Sequence, residues 1–144
     1  MKHKRSDIII VGGGHAGLEA ALIARHLDKT VLMITMDIRA VGRMSCNPAV
    51  GGLAKGQMVR EIDMLGGKMG VLADSSGIQF KTLNKKKGRA VWSPRAQVDK
   101  RAYENQAFRL LKASGCQILS GEVVSLIYKK NKVSGVNLRS GESL

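Results

Sequence analysis

Stretches of apolar residues along the chain are separated by glycines and polar runs, and their spacing predicts strands and helices in alternation. Ile8 to Val11 is a β-branched run with no polar alternation, which is typical of a parallel strand covered on both faces. A helical pattern follows from about His15 to Leu27, and Thr30 to Ile34 reads as a second buried strand. Strand, glycine turn, helix and strand within about thirty residues predict a right-handed βαβ unit. The predicted inner face of the helix consists mostly of small residues, namely Gly17, Ala20, Ala21, Ala24 and Leu27.

The middle of the chain is less regular. Met36 to Gly56 predicts an ordered, glycine-rich loop, and Lys55 to Leu65 predicts a short helix that ends at a Gly-Gly pair. Gly70 to Arg89 has no clear period and is interpreted as a loop with a short strand near Ile78 to Phe80.

A long helix and three strands are predicted in the last third of the chain. Ser93 and Pro94 predict the start of this helix, because Ser supplies an N-cap and Pro is tolerated at the first helical position. The helix is expected to run to about Ser114 and to end at Gly115. The predicted strands, the last two joined as a hairpin, are Gln117–Leu119, Glu122–Lys129 and Val133–Leu138.

These elements predict an α/β, Rossmann-like fold, in which a parallel sheet carries an antiparallel β appendage. The chain stops at Leu144, where another strand is due. The expectation is therefore one incomplete domain over residues 1–144, cut off at that point.

Composition indicates a soluble cytoplasmic protein. The 144 residues include 24 Lys and Arg against 11 Asp and Glu, and 44% are hydrophobic, which excludes a disordered tail. No apolar run reaches the length of a membrane span. Two cysteines exclude a disulfide-stapled secreted scaffold and fit a reducing cytosol. The basic opening from Met1 to Ser6 resembles the start of a signal peptide, but the apolar stretch after it is too short to complete one.

The glycine turn is the clearest candidate site. It contains G-x-G-x-x-G, follows a predicted strand and opens a predicted helix. Gly12 would make the tight turn, Gly14 would let the backbone approach a pyrophosphate, and Gly17 would let helix and strand pack closely. The helix N-terminus supplies N–H groups and a partial positive charge for phosphates. The motif therefore predicts dinucleotide binding, against the alternative of a purely structural turn. The residues concerned are Gly12, Gly13, Gly14, His15, Ala16 and Gly17.

The acidic residue that would hold a ribose is less clear. The second strand ends at Ile34-Thr35, where a carboxylate is usual, and the nearest carboxylate is Asp37. Either Asp37 holds the ribose, or Thr35 takes the place of Asp37, or neither residue holds it. The alternative role of Asp37 is that of a surface loop residue. His15, close to a helix N-terminus, is interpreted as a neutral donor to phosphate rather than an acid or base.

A second segment, Met44 to Gly56, reads Met-Ser-Cys-Asn-Pro-Ala-Val-Gly-Gly-Leu-Ala-Lys-Gly and is too particular for a generic loop. Together with the glycine turn, the run Arg60 to Gly67 and the run Ala90 to Gln97, it closely resembles the MnmG or GidA family. Members of that family are the FAD-dependent subunit of the bacterial enzyme that modifies the wobble uridine of tRNA. The resemblance runs from about Asp7 to Leu138 and covers only the N-terminal part of the much longer family members.

The resemblance implies a glutathione-reductase-like domain with FAD as prosthetic group, NADH as reductant and methylenetetrahydrofolate as carbon donor. It also implies a GTPase partner, MnmE, and a homodimer within a heterotetramer. The implied reaction attaches an aminomethyl or carboxymethylaminomethyl group to C5 of the wobble uridine, U34. No metal and no membrane are expected.

Three further residues take expectations from this resemblance or from their surroundings. Val123 would place its backbone against the adenine of FAD. Cys46 matches a family cysteine near the flavin: its thiolate would add to C6 of uracil and make C5 nucleophilic, or its thiol would donate a proton. The alternative for Cys46 is a small buried residue. Cys116, at a strand entrance, is interpreted as structural.

Basic residues cluster between positions 81 and 95: Lys81, Lys85, Lys86, Lys87, Arg89 and Arg95. An isolated run of this kind is usually a solvated loop. The formal charge of +13 makes contact with tRNA phosphates an open alternative. Since the chain has a single Trp, backbone attraction is favoured over base reading.

Three functional hypotheses follow. The first is the tRNA-modifying flavoenzyme. The second is another FAD or NAD oxidoreductase with the same βαβ entrance, although the Cys46 segment is not needed by a generic fold. The third is a truncated, inactive product that at most binds a nucleotide or a partner.

Overall fold

The computed structural model of the protein describes residues 5–144, so most of the basic opening discussed above lies outside the described residues. The chain divides into two compact units, and each is described by itself. The first unit comprises residues up to 41 together with residues 111–144, and the second comprises residues 42–110. Within residues 5–144, no helix combines the length and the apolar character that crossing a bilayer requires.

The secondary structure contains both β-strands and α-helices, with short 3-10 turns at residues 38–40, 85–87 and 89–91. The strands are β1 (Ile8–Val11), β2 (Val31–Thr35), β3 (Ala49–Gly51), β4 (Gly77–Leu83), β5 (Ser93–Val98), β6 (Gln117–Ser120), β7 (Val123–Lys129) and β8 (Lys132–Leu138). The helices are α1 (His15–His26), α2 (Lys55–Met64), α3 (Met69–Ser75) and α4 (Lys100–Ala113).

A parallel sheet forms the centre of the first unit, as the sequence predicts, and its strand order is β1-β2-β6. All five residues of β2 are buried because it is the middle strand. The prediction that β1 is covered on both faces is wrong for its ends: Val11 is 57% exposed and Ile8 is 36% exposed. The reason is that β1 lies at the edge of this sheet within the described chain.

Helix α1 packs against β1 and β2 through a narrower face than the sequence predicts. Leu18, Ala21 and Ala24 are buried, whereas Ala20 and Leu27 are exposed. Leu27 follows the last helical residue as the C-cap, so its side chain leaves the packed face. The predicted small-residue contact therefore holds at Ala21 and Ala24 and is wrong at Ala20 and Leu27.

The antiparallel appendage is the β7–β8 hairpin, also as predicted. Lys130 and Asn131 at its turn both have positive φ, as a two-residue hairpin turn of type I′ requires. Val136 and Leu138 of β8 form a hydrophobic cluster with Leu32 and Ile34 of β2. The hairpin thereby covers one face of the central strand.

The second unit is built on an antiparallel sheet of order β3-β5-β4, and its elements are only partly predicted. The helix predicted over residues 55–65 is present as α2, and the strand expected near Ile78 is the longer β4. Two predicted loops contain structure instead: β3 lies in the first and α3 in the second. Strand β3 is only three residues long and α3 only seven, so neither shows a readable period.

The predicted helix start at Ser93 and Pro94 is wrong. Residues 93–98 form β5, the central strand of the antiparallel sheet, and α4 begins only at Lys100. Asp99 is the actual cap, since its Oδ1 accepts hydrogen bonds from the backbone N–H groups of Arg101 and Ala102. The ladder between β3 and β5 ends at Arg95, so Pro94 lies beyond it, which makes its missing N–H group tolerable in a central strand.

Candidate functional site

The glycine turn between β1 and α1 has three different local environments. Gly12 has a φ of +99° and donates its N–H to the carbonyl oxygen of Ile34 at 2.8 Å. A Cβ on Gly17 would lie 2.0 Å from the carbonyl oxygen of Gly12, whereas a Cβ on Gly14 would meet no atom of the described residues within 4 Å. Gly12 therefore allows the turn, Gly17 allows close packing, and Gly14 leaves open space beside the backbone.

The first turn of α1 carries no negatively charged side chain that would repel an anion at the N-terminus of the helix. Gly14 is the N-cap and makes no side-chain cap hydrogen bond, and the first turn contains no acidic residue. Its exposed N–H groups and dipole therefore favour a negatively charged ligand. The open space at Gly14 and this helix end together fit a pyrophosphate group.

The carboxyl ends of the parallel strands meet beside this turn. A Cβ on Gly13 would lie 3.2 Å from Thr35 Oγ1 at the end of β2. The N–H of Gly121, just after β6, donates to the carbonyl oxygen of Thr35 at 3.0 Å. Ligands of open α/β sheets bind at such an edge, so the first unit gathers the glycine turn, the end of β2 and the end of β6 into one candidate site.

The two candidates for holding a ribose differ in exposure. Thr35 is only 8% exposed, and its Oγ1 donates to the carbonyl oxygen of Asp37 at 3.4 Å. Asp37 is exposed, and its Oδ1 accepts a hydrogen bond from the N–H of Arg39 at 2.8 Å, which caps a 3-10 turn. Asp37 therefore has a structural task at the end of β2, and its carboxylate remains open to solvent.

His15 opens the helix that follows the glycine turn, and Val123 lies on the strand predicted after β6. His15 is the first residue of α1, and its Nδ1 atom is buried. Val123 is the first residue of β7 and is partly buried against the cluster that includes Leu32. Since Gly121 is bonded to the end of β2, the backbone that leads into Val123 runs along the same sheet edge as the glycine turn.

The two cysteines occupy contrasting places. Cys46 is exposed in the loop before β3, where its carbonyl oxygen accepts a hydrogen bond from Lys100 Nζ at 3.3 Å. The alternative of a buried residue is therefore wrong for Cys46. Cys116 is buried, and its thiol is 3.7 Å from the carbonyl oxygen of Val31. Burial raises the pKa of the Cys116 thiol, which agrees with a structural role.

Four members of the basic run, Lys85, Lys86, Lys87 and Arg89, lie in the loop between β4 and β5, whereas Lys81 and Arg95 lie on those strands. Residues 85–87 form an exposed 3-10 turn, and Trp92 Nε1 donates to the carbonyl oxygen of Lys85 at 3.3 Å. The guanidinium of Arg89 lies 5.8 Å from the centre of the Trp92 ring, a cation–π arrangement. The loop thus presents three exposed lysines from a defined backbone.

A cavity of about 770 Å³ in the second unit was not predicted. It lies among α2, α3 and the antiparallel sheet, and it brings together three residues of the basic run, Lys81, Lys85 and Arg95, with Arg60 of α2. Arg60 belongs to one of the segments that carry the family resemblance, but its position in this cavity depends on how the second unit packs, which the order of residues does not reveal.

A βαβ unit with this glycine turn and an anion-accepting helix end defines a Rossmann-like α/β protein of the dinucleotide-binding type. The sequence model of the family described as "Glucose inhibited division protein A" matches residues 7–144. The chain belongs to this GidA family.

Individual relatives agree with this assignment. The tRNA uridine 5-carboxymethylaminomethyl modification enzyme MnmG of Protochlamydia amoebophila is 47% identical over 140 residues, which cover 96% of this chain and 22% of the relative. The solved structure of Aquifex aeolicus GidA is similar with a TM-score of 0.92 at 47% identity, covering 97% of this chain and 24% of that one. A flavin-dependent brominase, Bmp2, shares only the fold, with a TM-score of 0.61 at 19% identity.

The chain thus spans about a fifth of the length of the curated relatives it matches. The resemblance found in the sequence motifs and the predicted α/β class are both confirmed.

Proposed function

We propose that residues 1–144 form the N-terminal part of the FAD-binding domain of an enzyme that modifies C5 of the wobble uridine in tRNA. The observation that carries the proposal is the cradle at Gly12, Gly14 and Gly17, found in a chain of the GidA family. The relatives at 46–51% identity are named tRNA uridine 5-carboxymethylaminomethyl modification enzymes, which supports tRNA as the substrate.

FAD is the dinucleotide that we assign to the cradle. The N–H groups at the start of α1 would hold its pyrophosphate, His15 would donate to a phosphate oxygen, and the backbone at Val123 would contact the adenine. Asp37 would hold the ribose, with Thr35 as the alternative. When bound, FAD supplies the redox chemistry of the reaction.

Cys46 is the residue that we assign to the uridine. It is exposed on its loop, so its thiol is accessible to a base taken out of the anticodon stack. As a nucleophile it would form a bond to C6 of uracil and raise the electron density at C5; as an acid it would donate a proton instead. Both roles require an accessible sulfur, which the structure supports.

Contacts with tRNA are assigned to Lys85, Lys86, Lys87 and Arg89. The three lysines are exposed on one short turn, and +13 formal charge on the chain favours a polyanion. These groups would attract phosphates without reading sequence.

The remaining parts of the proposal come from the family resemblance. They are NADH as reductant, a folate-derived one-carbon unit, the GTPase MnmE as partner, a homodimer within a heterotetramer, and a cytoplasmic location. The second candidate function is nucleotide binding without modification activity. The observation that favours it is the glycine turn, which accounts for nucleotide binding by itself.

The test has two arms with separate readouts. In the first, FAD is titrated into the purified protein and into Gly14→Ala, and binding is followed by flavin fluorescence and visible absorption. Since no atom of residues 5–144 lies within 4 Å of that added methyl, we expect loss of FAD affinity with an unchanged fold. Equal affinity of both proteins would refute the cradle.

In the second arm the protein receives tRNA, NADH, methylenetetrahydrofolate and MnmE, and the modified uridine is measured by mass spectrometry. Formation of the modified base supports the full reaction. Flavin binding without modification supports the second candidate.

A further inference from the structure

The cavity of the second unit has a pair of like charges built into its wall. Lys81 of β4 and Arg95 of β5 are direct partners in the antiparallel register, and both line the cavity. Like charges directly opposite one another on a sheet repel and destabilise the fold. A bound anion placed between the two side chains would relieve this repulsion.

Within residues 5–144, carboxylates that line the cavity balance only part of its positive charge. Arg60 and Lys85 add two cations to the pair, against the carboxylates of Asp63 and Asp74. Among the side chains of residues 5–144, no carboxylate lies within 4.0 Å of any of these four cations. The Asp63 carboxylate lies instead against Gly70, where a Cβ would be 3.3 Å from Oδ1. The cavity therefore carries an excess of two positive charges.

The shape of the cavity suits an anion attached to an organic group. Its volume of about 770 Å³ lies within the range of small-molecule sites, roughly 300–1,000 Å³. Apolar residues such as Val59 and Ala96 share its lining with the cations. An arginine fork beside a lysine point charge is a combination that binds phosphate oxygens.

We propose that this cavity binds a phosphate group between Lys81 and Arg95. The group belongs either to a free nucleotide or to the backbone of an RNA strand, which share this chemistry. The proposal is independent of the FAD cradle, which lies in the first unit, but it shares Lys85 with the exposed turn at residues 85–87.

The test variant is Lys81→Glu in the purified protein. It replaces the repelling pair with an attracting one, so the midpoint of thermal unfolding should rise by about 1–4 °C. The dissociation constant for uridine 5′-monophosphate, measured by calorimetry, should increase at least about tenfold. The same variant should bind a labelled seven-nucleotide single-stranded RNA more weakly, as measured by fluorescence anisotropy.

The hairpin offers a matched control, because Lys129 and Lys132 are also direct cross-strand partners of like charge. Both are exposed, and neither lines the cavity. Lys132→Glu makes the same change of net charge and should leave the binding of both probes within about twofold of the wild type.

The outcomes separate the alternatives. Selective loss of the nucleotide in Lys81→Glu identifies a free nucleotide as the ligand, and selective loss of the RNA identifies a phosphodiester. Binding that falls equally in Lys132→Glu would overturn the proposal, as would an unchanged affinity of Lys81→Glu or the absence of binding by the wild type. FAD titration of the same variants reports on the first unit separately.

Discussion

Gly17 packs so closely on Gly12 that a Cβ on Gly17 would sit 2.0 Å from the Gly12 carbonyl oxygen. A real Cβ atom does not come this close to a carbonyl oxygen, so an added methyl must push α1 away from the end of β1. The contact fixes the height of the helix N-terminus above the glycine turn. It thereby connects the packing of the first unit to the proposed pyrophosphate site.

Gly17→Ala is expected to lower the free energy of unfolding by about 1–3 kcal/mol, the usual cost of overpacking. The substitution should also weaken the binding of FAD, because α1 shifts relative to the turn. Urea unfolding and FAD titration measure the two effects. Gly14→Ala is the matched control, with stability within about 0.5 kcal/mol of the wild type. Equal loss of stability in the two variants would contradict the assigned packing.

Asp37→Asn tests which side chain holds the ribose. Removing the charge while keeping an acceptor for the Arg39 N–H should reduce FAD affinity about tenfold, since a charged hydrogen bond is lost. Thr35→Val, which removes only a buried hydroxyl, should leave affinity unchanged. The reverse result in fluorescence titrations would assign the ribose to Thr35, and two silent variants would assign it to neither.

Replacing Lys85, Lys86 and Lys87 by Ala should flatten the salt dependence of tRNA binding. Loss of three phosphate contacts lowers the slope of log affinity against log salt by about 2 to 3. A filter-binding titration over several salt concentrations gives the slope. The control variant changes Lys129 and Lys132 of the hairpin to Gln. A slope that stays at the wild-type value in the triple variant discards these lysines as tRNA contacts.

Cys46→Ser should leave FAD binding unchanged and reduce uridine modification by about a hundredfold or more, because the assigned nucleophile or acid is removed. Alkylation with iodoacetamide, followed by mass spectrometry, should label the exposed Cys46 well before the buried Cys116. Modification at the wild-type rate in Cys46→Ser would rule out both assigned roles.

Burial raises the pKa of Cys116 above its ordinary value of 9.0, which gives stability a defined pH dependence. The folded protein keeps the thiol proton to higher pH than the unfolded chain does. The contribution is therefore complete below about pH 8 and is lost as pH rises through 9 and above. Between pH 8 and pH 10, wild-type stability should fall more steeply than that of Cys116→Ala in urea unfolding. Parallel pH profiles would argue against a buried thiol.

The βαβ unit and the hairpin were predictable because their signals are local. A β-branched run, three glycines at fixed spacing and a helical pattern identify β1, the turn and α1 without knowledge of any partner. The turn at Lys130 and Asn131 is likewise a property of two neighbouring residues. The family resemblance also rests on short segments, such as the one around Cys46.

The second unit was predictable only in part, because its elements depend on partners far away in the chain. Ser93 and Pro94 satisfy a helix start locally, yet pairing with Leu83 and Thr82 of β4 makes them strand. Asp99, six residues after Ser93, caps the helix instead, and α4 begins at Lys100. Local capping preference is worth about 1 kcal/mol, and the pairing of β5 along β4 outweighs it.

By itself, then, the sequence determined the class of fold, the glycine turn and the family, since each depends on residues that are neighbours in the chain. Tertiary structure decided which residues are buried and which distant ones meet. It exposed Ala20, Leu27 and Cys46, and it set Lys81 against Arg95 across two strands. The physical reason is that burial and cross-strand pairing depend on the register and packing of elements distant in sequence, whereas turns and helix ends depend on a few adjacent backbone angles.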